Sequence, residues 1–272
     1  MNEPNLGVAL VTGAYSGIGH ATAKALRNAG FRVFGTSRRA AAARSDGAIM
    51  LSCDVTDDAS VAKLVDEVLA EPGRIDVLVN NAGIGLLCGG AEASSTAQAQ
   101  ALFDVNVFGV LRMTKAVLPT MRRQRKGRII NTSSIMGLIP APYNALYAST
   151  KHAIEGYSES LDHELRTFGI RVALVEPGFT RTSFEENLAK PDCLLAAYDP
   201  ARAGMEAHMR NGVESGDAPE VVAETVVQAA TVAVPRRRYA AGRLARQVRL
   251  MRRFVPEFAF DKSLRKHNHL PV

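Results

Sequence analysis

Tyr147 and Lys151 stand four residues apart in Tyr147-Ala148-Ser149-Thr150-Lys151. That spacing stacks two side chains on one helix face, with Cβ atoms about 5–6 Å apart. A phenol has an ordinary pKa near 10 and is a poor base at neutral pH, but an ammonium one turn away favours the phenolate, so the pair is a candidate for proton transfer. Taken alone, the spacing is common by chance and usually means a packed Tyr beside a solvated Lys. The preceding sequence favours chemistry: Arg128-Ile129-Ile130-Asn131 reads as an apolar strand that delivers Thr132-Ser133-Ser134 to the C-terminal edge of a sheet just before this helix. Ligands of open α/β sheets bind at that edge. Ser134 is the hydroxyl expected beside the pair, with Ser133 as the alternative. His152 follows Lys151 directly, but consecutive helical residues point about 100° apart, which turns it away as a packing or interface residue.

A second set of residues is suited to phosphate. Thr12-Gly13-Ala14-Tyr15-Ser16-Gly17-Ile18-Gly19 places three glycines between a strand and a helix. Small residues let the backbone approach a pyrophosphate, and the free amides of a helix start stabilise negative charge. The spacing G-x-x-x-G-x-G matches the generic dinucleotide fingerprint only approximately, and an ordinary tight turn is the plain alternative. Gly13, Ser16, Gly17, Ile18 and Gly19 are the candidate contacts. At the end of the second strand, where an acidic side chain would hold the ribose hydroxyls of NAD, the chain carries Ser37-Arg38-Arg39. A guanidinium offers a planar fork to a phosphate, so these residues argue for NADP, with NAD second.

The elements that position these residues alternate along the chain. Gly7 to Thr12 is an apolar run followed by helical spacing from Gly17 to Ala29, and Phe31 to Thr36 reads as a second strand. Ile49 to Cys53, Ile75 to Asn80, Arg128 to Asn131 and Ile170 to Val175 are further strands. They are separated by predicted helices over Asp57 to Ala70, about Ala97 to Arg123, and Asn144 to Phe168. Continuously apolar strands in strict β/α alternation imply one doubly wound α/β (Rossmann) domain over 1–272 with a mainly parallel sheet. Residues 179–218 lack a clear period and read as an irregular or partly helical substrate loop, of the kind that forms lids. Pro219 to Val234 is predicted helical and Arg238 to Ala241 a short last strand. Arg243 to Phe254 is predicted as a basic helix with Leu244, Val248 and Met251 turned inward.

Bulk properties remove other classes. Of the 272 residues, 47% are hydrophobic and 22% charged, ordinary values for a chain with a core buried on both faces of a sheet. No apolar run reaches the roughly 18 residues of a membrane span, and the N-terminus has no signal-peptide pattern. Three dispersed cysteines suggest neither a disulfide framework nor a zinc site and fit a reducing cytoplasm, and the histidines show no metal-ligand spacing, so no metal is expected. The net charge of +6 divides unevenly: residues 235–272 hold eleven Arg or Lys against Glu257 and Asp261, a local +9. A basic tail on a mildly acidic body is not the footprint of a nucleic-acid-binding domain.

Several ordered motifs together resemble the short-chain dehydrogenase/reductase family over most of the chain. They are the glycine run Thr12 to Gly19, Asp54-Val55 after the third strand, Asn80-Asn81-Ala82-Gly83 after the fourth, Asn106, Ser134, Tyr147 with Lys151, and Pro177-Gly178 through Thr182. The resemblance implies that Tyr147 is the acid/base and that Ser134 hydrogen-bonds the substrate oxygen. It implies that Lys151 lowers the Tyr147 pKa and holds the nicotinamide ribose, while Asn106 anchors a water leading to solvent. Asp54 and Val55 would face the adenine, Asn80 with the Ala82 and Gly83 backbone the adenosine ribose, and Pro177, Gly178, Thr180 and Thr182 the carboxamide. It further suggests a homodimer or homotetramer packed through the two long central helices.

The expected function is interconversion of a small-molecule alcohol and a ketone or aldehyde. The alternative is an NADP-binding regulator without turnover, against which the intact Ser134, Tyr147 and Lys151 argue. Leu86, Leu87, Leu138, Ile139 and Phe184 lie in loops expected to border the pocket and imply an apolar substrate. The Ile135 to Pro142 stretch and the basic C-terminus resemble steroid and retinol dehydrogenases. The tail itself could lie on an anionic membrane, contact another subunit, or simply cap the core.

Overall fold

A computed structural model describes residues 6–38, 47–88, 91–184, 188–268 and 270. Strand β1 (Gly7–Val11) leads into helix α1 (Gly17–Asn28), followed by β2 (Phe31–Ser37), β3 (Ile49–Ser52), α2 (Asp58–Leu69) and β4 (Val77–Asn80). Asp57 caps α2, its side chain accepting from Ala59 N, which is why the helix starts where the sequence places an acid before an apolar periodic run. Helix α3 (Thr96–Phe103) passes through a π-helical turn, Asp104–Phe108, into α4 (Gly109–Gln124). The single helix expected over this stretch is therefore interrupted at Asn106, where one residue is accommodated in a wider turn. After β5 (Gly127–Thr132) come α5 (Ala145–Leu165), β6 (Ile170–Pro177), α6 (Asp199–Glu214), α7 (Pro219–Thr231), β7 (Arg238–Ala241), α8 (Arg243–Phe254) and α9 (Glu257–His267).

The seven strands form one parallel sheet in the order β3-β2-β1-β4-β5-β6-β7, the doubly wound arrangement the alternating elements predict. The central strands are buried on both faces because their side chains feed two cores, whereas the edge strand β3 is partly exposed. Val8 and Leu10 pack with Leu78, Ile129, Val172 and residues of α2, α4 and α5 on one face. Ala9 and Val11 pack with Val79, Ile130, Val175 and residues of α1 and α7 on the other. The sheet order reverses between β1 and β4, so the C-terminal ends of these strands diverge and leave a crevice. All the candidate site residues described below lie at that edge.

Two further features depart from expectation. Helix α9 continues the chain beyond the single basic helix read at the C-terminus. In α8, Leu244 and Val248 do pack inward, but Met251 is exposed, because α9 folds back and Phe260 fills the inward position beside Val248.

Candidate active site

The glycine turn is built for backbone proximity. Gly13 (φ +65°) and Gly17 (φ +53°) adopt the left-handed region, which costs other residues steric strain. A Cβ at Gly19 would land on the Gly13 carbonyl oxygen and the Asn81 Nδ2, so the start of α1 presses on the turn itself. Ser16 caps α1 without a side-chain hydrogen bond, and the first helical amides therefore keep their anion-binding capacity. The turn is locked to β4 by two residues that sequence reasoning did not single out. Thr12 Oγ1 accepts from Asn81 N (2.9 Å) and Ala82 N (3.0 Å), and Asn81 Nδ2 donates to Thr12 O (2.9 Å) and Gly13 O (3.2 Å). Their positions, heading the glycine run and inside the Asn80 to Gly83 run, were the available signal.

Asn80 itself points into the fold. Its Nδ2 donates to Asn131 Oδ1 (2.8 Å) and approaches Thr114 Oγ1 (3.4 Å), while Asn131 Nδ2 donates to Ser158 Oγ (2.8 Å). This polar ladder ties β4, β5 and α5 together inside the protein, which leaves Ala82 and Gly83 as the parts of the run at the crevice. At the end of β2, Ser37 O accepts from Cys53 N, and the exposed Arg38 faces Asp54. The Asp54 carboxyl lies below its ordinary value chiefly because Thr56 N and Oγ1 donate to it, with Arg38 and Arg112 adding attraction. Val55 is buried under Gly109. Arg39 lies outside the described residues.

Ser134, Tyr147 and Lys151 come together at the end of β5. Ser134 lies close enough to Tyr147 to favour its phenolate, and its Oγ accepts from Met136 N (3.1 Å). Ser133 is directed away: it is buried, and its Oγ lies where a Cβ at Gly137 would collide, beside Glu155. Lys151 is buried, with its Nζ donating to Thr132 O at 3.0 Å and lying 5.5 Å from the Tyr147 ring centroid. His152 is exposed, and its Nδ1 lies 2.9 Å from Ala148 O. Asn106, held in the π-helical turn, clamps the loop after β4 to α5: Oδ1 accepts from Ile84 N (2.9 Å), and Nδ2 donates to Ile84 O (2.8 Å) and Thr150 Oγ1 (3.3 Å). Both ends of this amide are engaged by the protein.

The electrostatics differ from what the Tyr-Lys spacing alone predicts. Burial pushes the Tyr147 phenol up to about 12, with Ser134 opposing, and pushes Lys151 down to about 8 against the attraction of Glu155. The ammonium is aimed at a carbonyl instead of the phenolic oxygen, so desolvation outweighs its pull. A phenol in this state retains its proton at neutral pH.

Pro177 ends β6, and the segment after it returns over the glycine turn. A Cβ at Gly17 would sit 3.2 Å from Thr182 Cβ, and Thr180 Oγ1 donates to Gly178 O (3.3 Å). The neighbouring cleft is lined by Leu86, Leu87, Tyr143, Leu146 and Tyr147, with the Phe184 ring 6.4 Å from that of Tyr147. Residues 188–214 are fastened to this wall through Ala189 N to Gly85 O (3.1 Å) and the Tyr143–Tyr198 ring contact. Of the expected apolar wall, Ile139 faces the C-terminal helices, where it packs with Val248 and Phe260. Among the described residues, no group of three or more His, Cys, Asp or Glu could hold a metal ion.

Beneath the site lies a buried acidic pair. Glu176 is fully buried on β6, and Glu155 follows Lys151 by one turn; Arg238 donates to Glu155 (2.8 Å) and Glu159 (2.5 Å) and comes within 3.2 Å of Glu176. Burial, reinforced by Glu155, pushes the Glu176 carboxyl up to about 7 despite Arg249 and Arg238. The folded protein thus holds this proton up to about pH 7, whereas the unfolded chain releases it near 4.5. Across that window the native state binds more protons, and stability falls as pH rises. Glu176→Gln should remove this slope and stabilise the protein above pH 7 by at most about 3 kcal/mol, read from thermal melts on either side of the window. Equal slopes for both proteins would contradict it.

A family model described as short chain dehydrogenase matches residues 7–192. The chain belongs to the short-chain dehydrogenase/reductase family. Among curated relatives, this enzyme is 37% identical over 279 residues to the uncharacterized oxidoreductase YusZ of Bacillus subtilis, covering 96% of this chain and 98% of that one. It is 46% identical over 182 residues to 3-ketodihydrosphingosine reductase of Bacteroides thetaiotaomicron, covering 66% of each. A short-chain dehydrogenase from Streptomyces avermitilis superposes with a TM-score of 0.79 at 35% identity, covering 95% of this chain and 97% of the other. Two further solved structures hold different dinucleotides. A metagenomic short-chain oxidoreductase in complex with NADP has a TM-score of 0.68 at 30% identity, with 85% and 95% coverage. A short-chain dehydrogenase/reductase from Burkholderia phymatum in complex with NAD has a TM-score of 0.76 at 27% identity, with 93% and 95% coverage.

Proposed function

We propose that this dehydrogenase/reductase interconverts an apolar alcohol and its ketone or aldehyde with NADP, working in the direction of carbonyl reduction. The observation that carries this reading is the gathering of Ser134, Tyr147 and the buried Lys151 at the end of β5, with the Lys151 Nζ 5.5 Å from the Tyr147 ring centroid and held by Thr132 O. The glycine turn fits a dinucleotide, because Gly13 and Gly17 take the left-handed backbone that brings the turn close to a ligand and no side chain caps the first amides of α1.

NADPH, when bound, supplies the hydride. Ser134 holds the substrate oxygen by a hydrogen bond, and Tyr147 gives that oxygen its proton as negative charge develops there. Lys151, held by Thr132 O, fixes the height of the site and offers its ammonium to the nicotinamide ribose. Asn106 sets the distance between the loop after β4 and α5. Pro177 to Thr182 orient the carboxamide end, while Asp54, Val55, Ala82 and Gly83 border the adenosine end. Alcohol oxidation is the reverse, with Tyr147 accepting the proton.

Arg38 supports NADP over NAD, since it stands exposed at the end of β2 with no described carboxylate in the ribose-binding position of that strand. Arg38→Asp is expected to lower kcat/KM with NADPH by roughly ten-fold or more and to narrow the preference over NADH, given the strength of charged hydrogen bonds. Parallel steady-state assays with the two cofactors measure this, and an unchanged ratio would rule Arg38 out as the phosphate ligand.

The substrate class follows from Leu86, Leu87 and Phe184 along the cleft, with residues 179–218 as its lid. The similarity to a 3-ketosphingoid reductase makes long-chain ketones the first compounds to assay. We further place the enzyme in the cytoplasm as a homo-oligomer packed through α4 and α5. NADPH consumption across a series of ketones of increasing chain length tests the substrate class; kcat/KM should rise with chain length, and a preference for short polar carbonyls would overturn it.

A further inference from the structure

We infer that the α8–α9 pair is a docking platform for an anionic lipid membrane. Helix α8 has two opposed faces. Leu244, Ala245 and Val248 face the protein, whereas Arg243, Arg246, Leu250, Arg253 and Phe254 recur at the three- and four-residue intervals of the opposite face. Leu250 is 58% exposed, Phe254 71%, and Phe258, at the start of α9, 78%. Leu250 and Phe254 stand one turn apart on α8, and with Phe258 on the next helix they are large apolar side chains held this far into solvent, which marks an interaction surface.

The charge around them selects the partner. From Arg243 to Lys266 the two helices carry eight Arg or Lys against Glu257 and Asp261. The Arg253 guanidinium lies 5.5 Å over the Phe254 ring, so charge and apolar tip are presented together. Basic residues attract anionic headgroups, while Leu, Phe and Met enter the acyl boundary, the arrangement of an interfacial amphipathic helix. Among the described residues no helix is long and apolar enough to cross a membrane, so the contact is peripheral.

The platform is firmly attached and close to the cleft. Val248 and Phe260 pack on Ile139, with Ile135, Leu138, Leu244 and Leu264 alongside. Leu244 also lies against Gly178. The segment after Ser134 and the segment after Pro177 therefore both rest on these helices, and docking would bring the substrate cleft near the lipid surface.

The test is sedimentation of the full-length protein with vesicles of phosphatidylcholine alone or mixed with phosphatidylglycerol. The wild type should sediment with the mixed vesicles, less with phosphatidylcholine, and less as salt rises. Leu250→Glu/Phe254→Glu/Phe258→Glu should reduce binding at least about ten-fold, and Arg246→Gln/Arg253→Gln should erase the preference for the mixed vesicles. Both variants should keep the wild-type melting temperature within a few degrees and the wild-type NADPH affinity, which separates this result from misfolding and from failure of the catalytic reading. Wild type remaining in the supernatant, or triple-variant binding equal to wild type, overturns the proposal. So does a triple variant that instead dissociates a self-associated wild type in sedimentation equilibrium without any vesicle binding, because the face would then join two copies of the chain.

Discussion

Tyr147→Phe should lower kcat for carbonyl reduction on the order of 10³-fold, within the range that a positioned general acid contributes, while NADPH affinity stays within about two-fold. The substitution removes one oxygen and keeps the ring, so packing against Phe184 at 6.4 Å survives. What is lost is the proton donor beside Ser134. Because the phenol is pushed up to about 12, the wild-type reductive rate should show no loss attributable to Tyr147 ionisation through neutral pH. Steady-state rates over a pH series, with fluorescence titration of NADPH, measure both effects. Near-wild-type turnover in the variant would end the proton-donor assignment.

Lys151→Met should be nearly as costly and should differ in kind. Its Nζ is buried and donates to Thr132 O, and removing it leaves a carbonyl of β5 without that donor, at a cost of about 1–3 kcal/mol in stability. It also removes the only ammonium beside Tyr147 among the described residues. Turnover should fall roughly 10²-fold or more and NADPH affinity about ten-fold, the second change being the one absent from Tyr147→Phe. Lys151→Arg, which keeps the charge but not the shape, should recover part of the affinity and little of the rate. Loss of rate with full NADPH affinity would remove the ribose contact from the account.

The fold was legible because its strands are uninterrupted apolar runs and its helices begin at recognisable signals such as Asp57 before Asp58–Leu69. Tyr147 and Lys151 were legible because helical spacing alone puts them on one face. Other features depend on contacts between segments distant in the sequence. Thr12 and Asn81 meet across β1 and β4, a pairing that no local pattern encodes. The family resemblance assigns Asn80 to the adenosine ribose, yet the strand register sets it opposite Asn131, to which its side chain donates. The π-helical turn at Asn106 leaves no compositional mark. Met251 satisfies the inward periodicity of α8, but its place is taken by Phe260 from a helix whose docking only tertiary structure reveals. The raised Tyr147 pKa likewise follows from burial and from the direction of the Lys151 ammonium, and residue spacing specifies neither.

The most direct test is a crystal structure of the wild type with NADPH. The account predicts the nicotinamide between the Ser134–Tyr147 pair and the segment Pro177 to Thr182, its ribose on Lys151, and the 2′-phosphate against Arg38. A nicotinamide turned away from Tyr147, with that phenol reaching neither it nor a substrate analogue, would contradict the account.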